Sequence, residues 1–475
     1  MVKKTFQLLL LFGFFYVFEI HFQTIYEYHL GFVTNSDVLY PYLFAKDIWE
    51  GTIRGWNFPP STCLFPDSLL NILLFPITKD VYRSFFLFGF YAFAITFFAA
   101  RSLGLKNKNS LFLSLAFLLF AAELPDSLGQ YVMPSFHISI FLFLAYFLYE
   151  SKHWNSKKPF HWFRMTLVFT LLWLSEYWFF VHLGFFVVWI FWKQMGKQIW
   201  IPTLLMLIGF FITKSIQNYL RSLDIGMFTA KELPTIERIQ TATNLIFNDP
   251  ISFFTATWQS ITQHPVLWPW FQTFLILFVM LFIYAIWFAK TEKPKNLIVL
   301  CLSPFITIFA LKVFQIEPNF RYLYILAFLD LFLGLYFISK IPLLRRSFPI
   351  IAFIGFVVFS ASKTHERLEY ISTGEKKRKH RIQCLETFDP KEPASTTYWP
   401  TKYSYTFSKL PYTLVPYTKE GIYYPWVSNK HWDKGLGSKP MEFYSWGITE
   451  TKEHLTLFPN VQLVKECEGL YFYKR

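Results

Sequence analysis

Long apolar runs recur along this chain, and charged residues collect between them. A run of about 17–20 apolar residues can cross a bilayer as a helix, because lipid offers no partner for an unbonded backbone group. The pattern predicts membrane spans near residues 6–22, 82–100, 110–124, 133–149, 199–216, 268–289, 297–314, 320–339 and 347–362. The apolar run at 68–78 is too short to cross alone and is predicted to be interfacial or re-entrant.

Residues 165–192 are too long for one span and short for two, and two half-length helices turning near Ser175 and Glu176 would fit. Counting this region as a pair gives about eleven spans. The loops then alternate in charge, since segments such as 101–109 and 150–164 are rich in Lys and Arg and the loops on the other side are poorer. The positive-inside pattern therefore predicts a cytoplasmic N-terminus and an extracytoplasmic C-terminus.

Three predicted outer regions are large: the loops near 21–67 and 217–267, and the tail from 363 to 475. The tail is polar, and segments such as 421–427 and 469–473 alternate in the way that is typical of short strands. We therefore expect an all-α polytopic membrane module over 1–362, with a small extracytoplasmic mixed α/β or β-rich domain over 363–475. The basic run at 376–381 is interpreted as a solvated linker near lipid phosphates.

Composition agrees with a membrane protein, because only 16% of the residues are charged, against about 25% in soluble domains. No small-x-small cleavage site follows the first apolar run, so we expect an uncleaved first span. The net charge of +14 is explained by loop topology, and no nucleic-acid partner is predicted. Of the four cysteines, Cys384 and Cys467 lie in the tail, where an outer compartment permits a disulfide, and their pairing is left open.

Three carboxylates, Asp37, Asp47 and Asp67, lie in the first outer loop. Beyond Pro41 the apolar positions recur at helical spacing, which predicts an interfacial amphipathic helix of about ten residues. Asp37 could cap that helix, and Asp47 could lie on its solvated face. A carboxylate at the mouth of a membrane body could instead act as a base or hold a metal ion.

Polar groups inside or near the spans are further candidates. Glu176 and His137 are functional candidates because ionisable residues are rare in lipid, although a structural turn and ordinary packing would also account for them. Three cations, Arg321, Lys312 and Lys214, lie near predicted outer span ends. An Arg fork can grip two phosphate oxygens, and it can also simply snorkel to the interface.

The first loop resembles that of the GT-C glycosyltransferases, and in particular that of bacterial relatives of protein mannosyltransferases and aminoarabinose transferases. The resembling pieces are Ser36-Asp37, Leu39-Tyr40-Pro41, Asp47-Ile48, Trp56, Pro59-Pro60, Phe65-Pro66-Asp67, Ser175-Glu176 and the segment Pro318 to Tyr322. The chain lacks the adjacent Asp-Glu pair of well-studied members, since Val38 follows Asp37. That difference leaves the metal requirement and the acceptor class open.

The resemblance implies an inverting transferase of the bacterial inner membrane and cell envelope. It would move a sugar from a polyprenyl-phosphate donor to a glycan, lipid or protein acceptor outside the cytoplasm. It implies Asp37 as the catalytic base, with Asp47, Asp67 and Glu176 as second acidic candidates, and Arg321, Lys312 and Lys214 as ligands of the donor phosphate. A divalent metal is possible, and His137 is one further candidate.

Two alternatives remain open from the sequence. A transporter or flippase of a lipid-linked saccharide would use the same cavity and the same cations. A non-catalytic membrane protein that displays its tail domain would make Asp37 dispensable.

Overall fold

The structure is a computed structural model, and the described part of the chain is mostly helical with a small C-terminal sheet. It describes residues 2–33, 35–59, 62–134, 137–155, 158–227, 240–241, 243–244, 247–288, 292–313, 320–388, 390–418, 420–425, 428–450, 452 and 461–475.

The first half of the chain is built from helices joined by short turns. They are α1 (Val2–Glu27), α2 (Tyr40–Trp49), α3 (Leu69–Thr78), α4 (Val81–Ser102), α5 (Asn107–Glu123), α6 (Ile140–His153), α7 (Pro159–Ser175), α8 (Phe185–Met195) and α9 (Trp200–Ser222). We call residues 28–68, between α1 and α3, the first loop, and it contains α2.

The second half continues with helices and ends in a sheet. The helices are α10 (Pro250–Thr262), α11 (Leu267–Trp287), α12 (Lys293–Cys301), α13 (Ser303–Val313), α14 (Phe320–Ile338), α15 (Pro342–Thr387) and α16 (Tyr398–Phe407). We call residues 388–475 the C-terminal unit, and it contains α16 and the sheet.

Every predicted span contains a helix, but the bounds differ. Helix α1 runs five residues beyond the predicted end at 22, and α6 starts seven residues after the predicted start at 133, behind a 3₁₀ turn at Leu128–Val132. Residues 165–192 divide as expected, because α7 ends at Ser175 and Glu176 takes a non-helical backbone before the chain turns helical again. The short apolar run at 68–78 forms α3.

Within the described residues, four helical segments are long and apolar enough to cross a membrane: Val81–Ser102, Phe180–Ser222, Leu267–Trp287 and Lys293–Val313. Large apolar side chains stay exposed on these helices, among them Phe211 of α9 and Phe282 of α11. Exposed apolar faces of this kind are favourable in contact with lipid and unfavourable in contact with water. The predicted total of about eleven spans exceeds this set, and the exact number stays a prediction.

Helix α15 is 46 residues long and continues through the predicted module boundary at 362. Its basic segment is not a solvated linker, which corrects that expectation. Arg378 donates to Oε1 of Glu27 at 2.9 Å, and Arg381 donates to the carbonyl of Glu468 at 3.1 Å. The helix passes close to the π-helical turn Tyr28–Phe32 after α1, where Gly31 and Gly374 meet, and a Cβ on Gly31 would lie 2.6 Å from the carbonyl oxygen of Gly374.

The C-terminal unit carries a five-stranded mixed sheet in the order β4-β3-β5-β7-β6. Its strands are β3 (Ala394–Thr396), β4 (Leu414–Pro416), β5 (Trp446–Thr449), β6 (Gln462–Cys467) and β7 (Leu470–Lys474). Strand β7 confirms the strand expected at 469–473, whereas the described part of 421–427 makes only a bridge between Tyr417 and Tyr423. A separate two-stranded pair joins β1 (Asn57–Phe58) of the first loop to β2 (Gly226–Met227).

The C-terminal unit has its own apolar core and also packs on the helical body. Its core is formed by residues such as Tyr403, Ile448 and Phe472, which are buried. Tyr405 and Trp432 instead pack against the main core of the helices. The first loop is therefore enclosed between the helices and the C-terminal unit.

Candidate active site between the first loop and the C-terminal unit

Asp37 lies in a 3₁₀ turn, Ser36–Leu39, directly before α2. Helix α2 has the predicted length of ten residues but begins at Tyr40, before Pro41, and most of its residues are buried. Its N-cap is Leu39, without a side-chain capping bond. Asp37 therefore does not cap α2, which removes the simplest structural explanation for this carboxylate.

The Asp37 carboxylate forms an ion pair with Lys402 of α16, at 3.0 Å between Nζ and Oδ1. The two partners differ in burial, since the Lys402 side chain is 0% exposed and that of Asp37 is 21% exposed. The ammonium is thus covered, and the Asp37 side chain is partly exposed. A charge-assisted bond of this length holds the carboxylate in place.

Two titratable groups of the C-terminal unit face Asp37, namely Lys402 and Tyr424. Burial lowers the pKa of the Lys402 ammonium, and the Asp37 charge acts in the opposite direction. Burial raises the pKa of the Tyr424 phenol, and Asp37 raises it further. Asp37 thus supplies the negative charge that favours the ammonium form of a buried lysine.

Asp47 is fully buried, which corrects the expectation that it lies on a solvated face. Its Oδ2 accepts from Nε1 of Trp56 at 2.8 Å, from Nδ2 of Asn429 at 2.7 Å and from Nε1 of Trp432 at 3.1 Å. Its Oδ1 accepts from the Tyr405 hydroxyl at 3.2 Å. Burial raises the pKa of this carboxyl, and the four donors oppose that shift.

One helix of the C-terminal unit reaches both carboxylates, because Lys402 and Tyr405 are three residues apart and lie on the same side of α16. Lys46 extends the contact, since its ammonium lies 4.2 Å from the centre of the Tyr405 ring. The first loop and α16 therefore form one joined surface.

Asp67 is also buried, and its Oδ1 accepts from the Ser139 hydroxyl at 2.6 Å. This bond joins Asp67 to Ser139, directly before α6 of the helical body. Asp67 and Glu176 both act on the phenol of Tyr40, whose pKa is raised first by burial and then by neighbouring charges that include theirs. Asp67 thus belongs with the interior polar groups.

His137 and Glu176, predicted separately, are brought together by the structure. Nδ1 of His137 lies 2.9 Å from both carboxylate oxygens of Glu176, and both residues are buried. His137 takes a left-handed backbone with φ of 64°, and its carbonyl accepts from the Tyr324 hydroxyl at 2.8 Å. This bonding holds together the irregular segment before α6 and the turn after α7.

The neighbouring Ser175 connects that turn to the first loop. Its hydroxyl accepts from the backbone N–H of Phe65 at 2.9 Å, and its carbonyl accepts from the N–H of Cys63 at 3.1 Å. The Ser175-Glu176 turn therefore supports the first loop from within the helical body.

Of the predicted phosphate-binding cations, Lys312 and Lys214 have different partners. Lys312 is half-buried and donates to Oγ of Ser260 at 3.1 Å. Lys214 is exposed and bonds to Gln217 at 3.3 Å. Arg321 lies at the start of α14, and its side chain lies outside the part that the structure describes.

Cys384 and Cys467 form a disulfide with a Cα–Cα distance of 6.3 Å, which joins the end of α15 to strand β6. Among the described residues, the group of three metal-type ligands that lie close together is His380 with these two cysteines. Their sulfurs are joined to each other and offer no thiolate to a metal ion.

Lys402 is the site residue that the sequence did not reveal. It is separated from Asp37 by 365 residues, and nothing in local periodicity relates two positions that far apart. The sequence showed only a lysine among the aromatic residues of the segment Tyr398–Phe407. Its burial, which the structure reveals, is what marks it as a site residue.

Comparisons with known proteins return one structural likeness. No protein-family model matches the chain, and no curated protein matches it. The chain is similar to the crystal structure of ArnT from Cupriavidus metallidurans in the apo state, at 12% identity and a TM-score of 0.39, with 92% of each chain covered. At this identity and TM-score the likeness carries no conclusion about fold or activity.

Proposed function

We propose that this chain is an integral membrane glycosyltransferase of the GT-C type, which transfers a sugar from a polyprenyl-phosphate donor to a glycan, lipid or protein acceptor. In this proposal residues 1–362 form the module in a bacterial inner membrane, with the N-terminus in the cytoplasm. Residues 363–475 form the periplasmic domain. The observation that carries the proposal is the partly open Asp37 carboxylate in the first loop, held by a buried ammonium.

Asp37 has the chemistry of a general base in this reaction. The acceptor hydroxyl oxygen attacks the anomeric carbon while the bond from that carbon to the phosphate oxygen breaks, and the hydroxyl proton passes to the Asp37 carboxylate. Attack and departure on opposite faces invert the anomeric configuration. The products are the glycosylated acceptor and polyprenyl phosphate, so atoms and charge balance without a further reactant.

The departing phosphate carries negative charge, and a cation beside it lowers the barrier. Lys312 is our choice among the described cations because it is near an apolar cavity between α10, α11 and α13. That cavity has a volume of about 490 Å³, and its walls include Trp258, Phe271 and Phe305. Ser260, the Lys312 partner, lies two residues after Trp258 on α10. The apolar walls suit the isoprenoid chain of the donor, and the Lys312 ammonium suits its phosphate. Arg321 is assigned to the same phosphate from its sequence motif.

The contacts of the first loop disfavour the alternative of a protein that merely displays its tail. Lys402, Tyr405 and Trp432 of the C-terminal unit bond to first-loop carboxylates, so the tail and the loop form one structure. A display domain would need no such bonds to Asp37. A transporter would leave the donor intact, whereas a transferase releases polyprenyl phosphate, so the reaction product distinguishes these two alternatives.

The test is transfer from a radiolabelled polyprenyl-phosphate sugar by the purified protein. We expect labelled acceptor with the wild type and a loss of about 10²–10⁴-fold in rate with Asp37→Asn, which is the range that a general base contributes. Asn keeps the size and an acceptor oxygen for Lys402, so the variant should fold. Labelled donor that crosses the membrane without sugar release would favour the transporter. Full transfer by Asp37→Asn would remove the catalytic assignment.

A further inference from the structure

We propose that Lys402 is a positioning residue for Asp37, by which the C-terminal unit completes the active site of the helical body. The inference rests on the proposed function and adds to it a residue from the other end of the chain. Lys402 acts through Asp37: it holds the carboxylate in one orientation, in which the carboxylate can accept the proton of the acceptor hydroxyl.

The first reason is the geometry of the ion pair. The ammonium lies 3.0 Å from Oδ1 of Asp37 and is fully covered, whereas the carboxylate is partly open. A surface pair contributes little because solvent screens it and both side chains move. A covered ammonium is neither screened nor free to move, so it restricts the carboxylate to few orientations. Misplacing a reacting group by about 1 Å can reduce the rate about 100-fold, which makes such restriction valuable.

The second reason is that the backbone carrying Lys402 is itself fixed on the helical body. Tyr403, the next residue, donates its hydroxyl to the carbonyl of Leu30 at 3.0 Å, seven residues before Asp37. Tyr405 donates to Asp47, ten residues after Asp37. Helix α16 thus contacts the first loop on both sides of Asp37, and Lys402 reaches the carboxylate from a rigid support.

The third reason is the free-energy cost of burying the Lys402 ammonium. A charged side chain removed from water is stable only when paired, and replacing such a pair by apolar residues is often neutral or stabilising. A buried lysine used only for packing would gain nothing over a methionine of similar length. Its placement on a partly exposed carboxylate of the first loop is accounted for by a role in positioning.

The experiment compares Lys402→Met, Lys402→Arg and the control Lys409→Met in the full-length purified protein. Lys409 is exposed and lies two residues beyond the end of α16. We expect Lys402→Met to lower kcat for sugar transfer about 100-fold with little change in KM, because an interaction that acts in the transition state appears in kcat. Lys402→Arg should recover part of kcat, and Lys409→Met should match the wild type. A kcat for Lys402→Met within about threefold of the wild type, or an Arg variant no better than Met, would overturn the inference.

A second measurement is independent of activity. The melting temperatures of Asp37→Asn, Lys402→Met and the double variant form a cycle, and residues in contact give non-additive changes. We expect the decrease in melting temperature of the double variant to be smaller than the sum of the two single decreases. An additive cycle would overturn the pairing even if transfer is lost. If the wild type shows no transfer at all, the proposed function fails, and this cycle still decides whether Lys402 and Asp37 act together. Should Lys402→Met fail to fold, the Arg variant and its cycle with Asp37→Asn carry the same decision.

Discussion

Asp37 and Asp47 lie ten residues apart in the first loop, and both are bonded by helix α16, yet their surroundings are opposite. Asp47 is completely buried and accepts from four neutral donors. Asp37 is partly exposed and accepts from the buried Lys402 ammonium. The difference shows what each arrangement can do: complete burial among four fixed donors gives Asp47 no access to substrate, whereas an exposed fraction of 21% allows the Asp37 side chain to meet a ligand.

The two carboxylates of this loop therefore differ in role: Asp47 stabilises the fold, and Asp37 is proposed to take part in the reaction. The Asp47 cluster joins the first loop to the C-terminal unit through Tyr405, Asn429 and Trp432, and its aromatic members also stack, with the Tyr405 and Trp432 ring centres 4.2 Å apart. We therefore expect substitutions at Asp47 to affect folding first and substitutions at Asp37 to affect transfer first.

The largest effect that tests the comparison is that of Asp47→Ala on stability. Removing the carboxylate takes one acceptor from four donors, of which Trp56 and Asn429 are buried and Tyr405 and Trp432 are half-buried. A buried donor left without an acceptor costs about 1–3 kcal/mol. We expect unfolding in detergent to require at least about 3 kcal/mol less than in the wild type, measured by SDS titration or thermal unfolding. The molecules that remain folded should transfer sugar at a near-normal rate.

Asp47→Asn is the matched control, because it keeps the shape and one acceptor oxygen and should lose less stability than Ala. A stable Asp47→Ala protein that is as inactive as Asp37→Asn would place Asp47 in the chemistry and break the comparison.

The next effect concerns the donor phosphate. Lys312→Met should raise KM for the polyprenyl-phosphate sugar about tenfold with little change in kcat, because an ion pair to a phosphate contributes about 1.5–3 kcal/mol at most. Lys214→Met is the control: Lys214 is exposed, and its recorded bond is to Gln217 on its own helix. Donor titrations of initial rate measure both variants.

An equal loss in Lys312→Met and Lys214→Met would mean that net positive charge matters and not the position beside the apolar cavity. An unchanged KM in Lys312→Met would leave Arg321 as the remaining assigned cation.

The apolar pattern predicted the helices well, because lipid thickness and backbone bonding act over one segment at a time. The break at Ser175 and the helix at Tyr40–Trp49 were predicted for the same reason. The roles of Asp47 and Lys402 were not predictable, since their partners are supplied by distant parts of the chain. The basic run around Arg378 was misinterpreted because composition does not reveal Glu27, which neutralises it within the fold.

The smallest predicted effect concerns a third kind of carboxyl, which is buried but has too few donors. Glu450 of the C-terminal unit accepts from the Thr397 hydroxyl through Oε2, while Oε1 has no partner among the described residues. Burial raises the pKa of this carboxyl to about 7, and the Thr397 bond opposes the shift. Asp47 avoids this situation through its four donors.

The folded state therefore holds a proton on Glu450 that the unfolded chain has released above pH 4.5. Its contribution to stability is fully present below pH 4.5 and is lost as the pH rises through about 7. Glu450→Gln should match the wild type at low pH and be more stable above pH 7 by about 1–3 kcal/mol, since one pKa unit corresponds to about 1.4 kcal/mol. Melting temperatures across pH 4 to 8 test this, with the exposed Glu442→Gln as control. If the melting temperatures of the wild type and Glu450→Gln change with pH in the same way, water solvates the ionised Glu450 carboxylate sufficiently. The proposed difference between Glu450 and Asp47 would then be wrong.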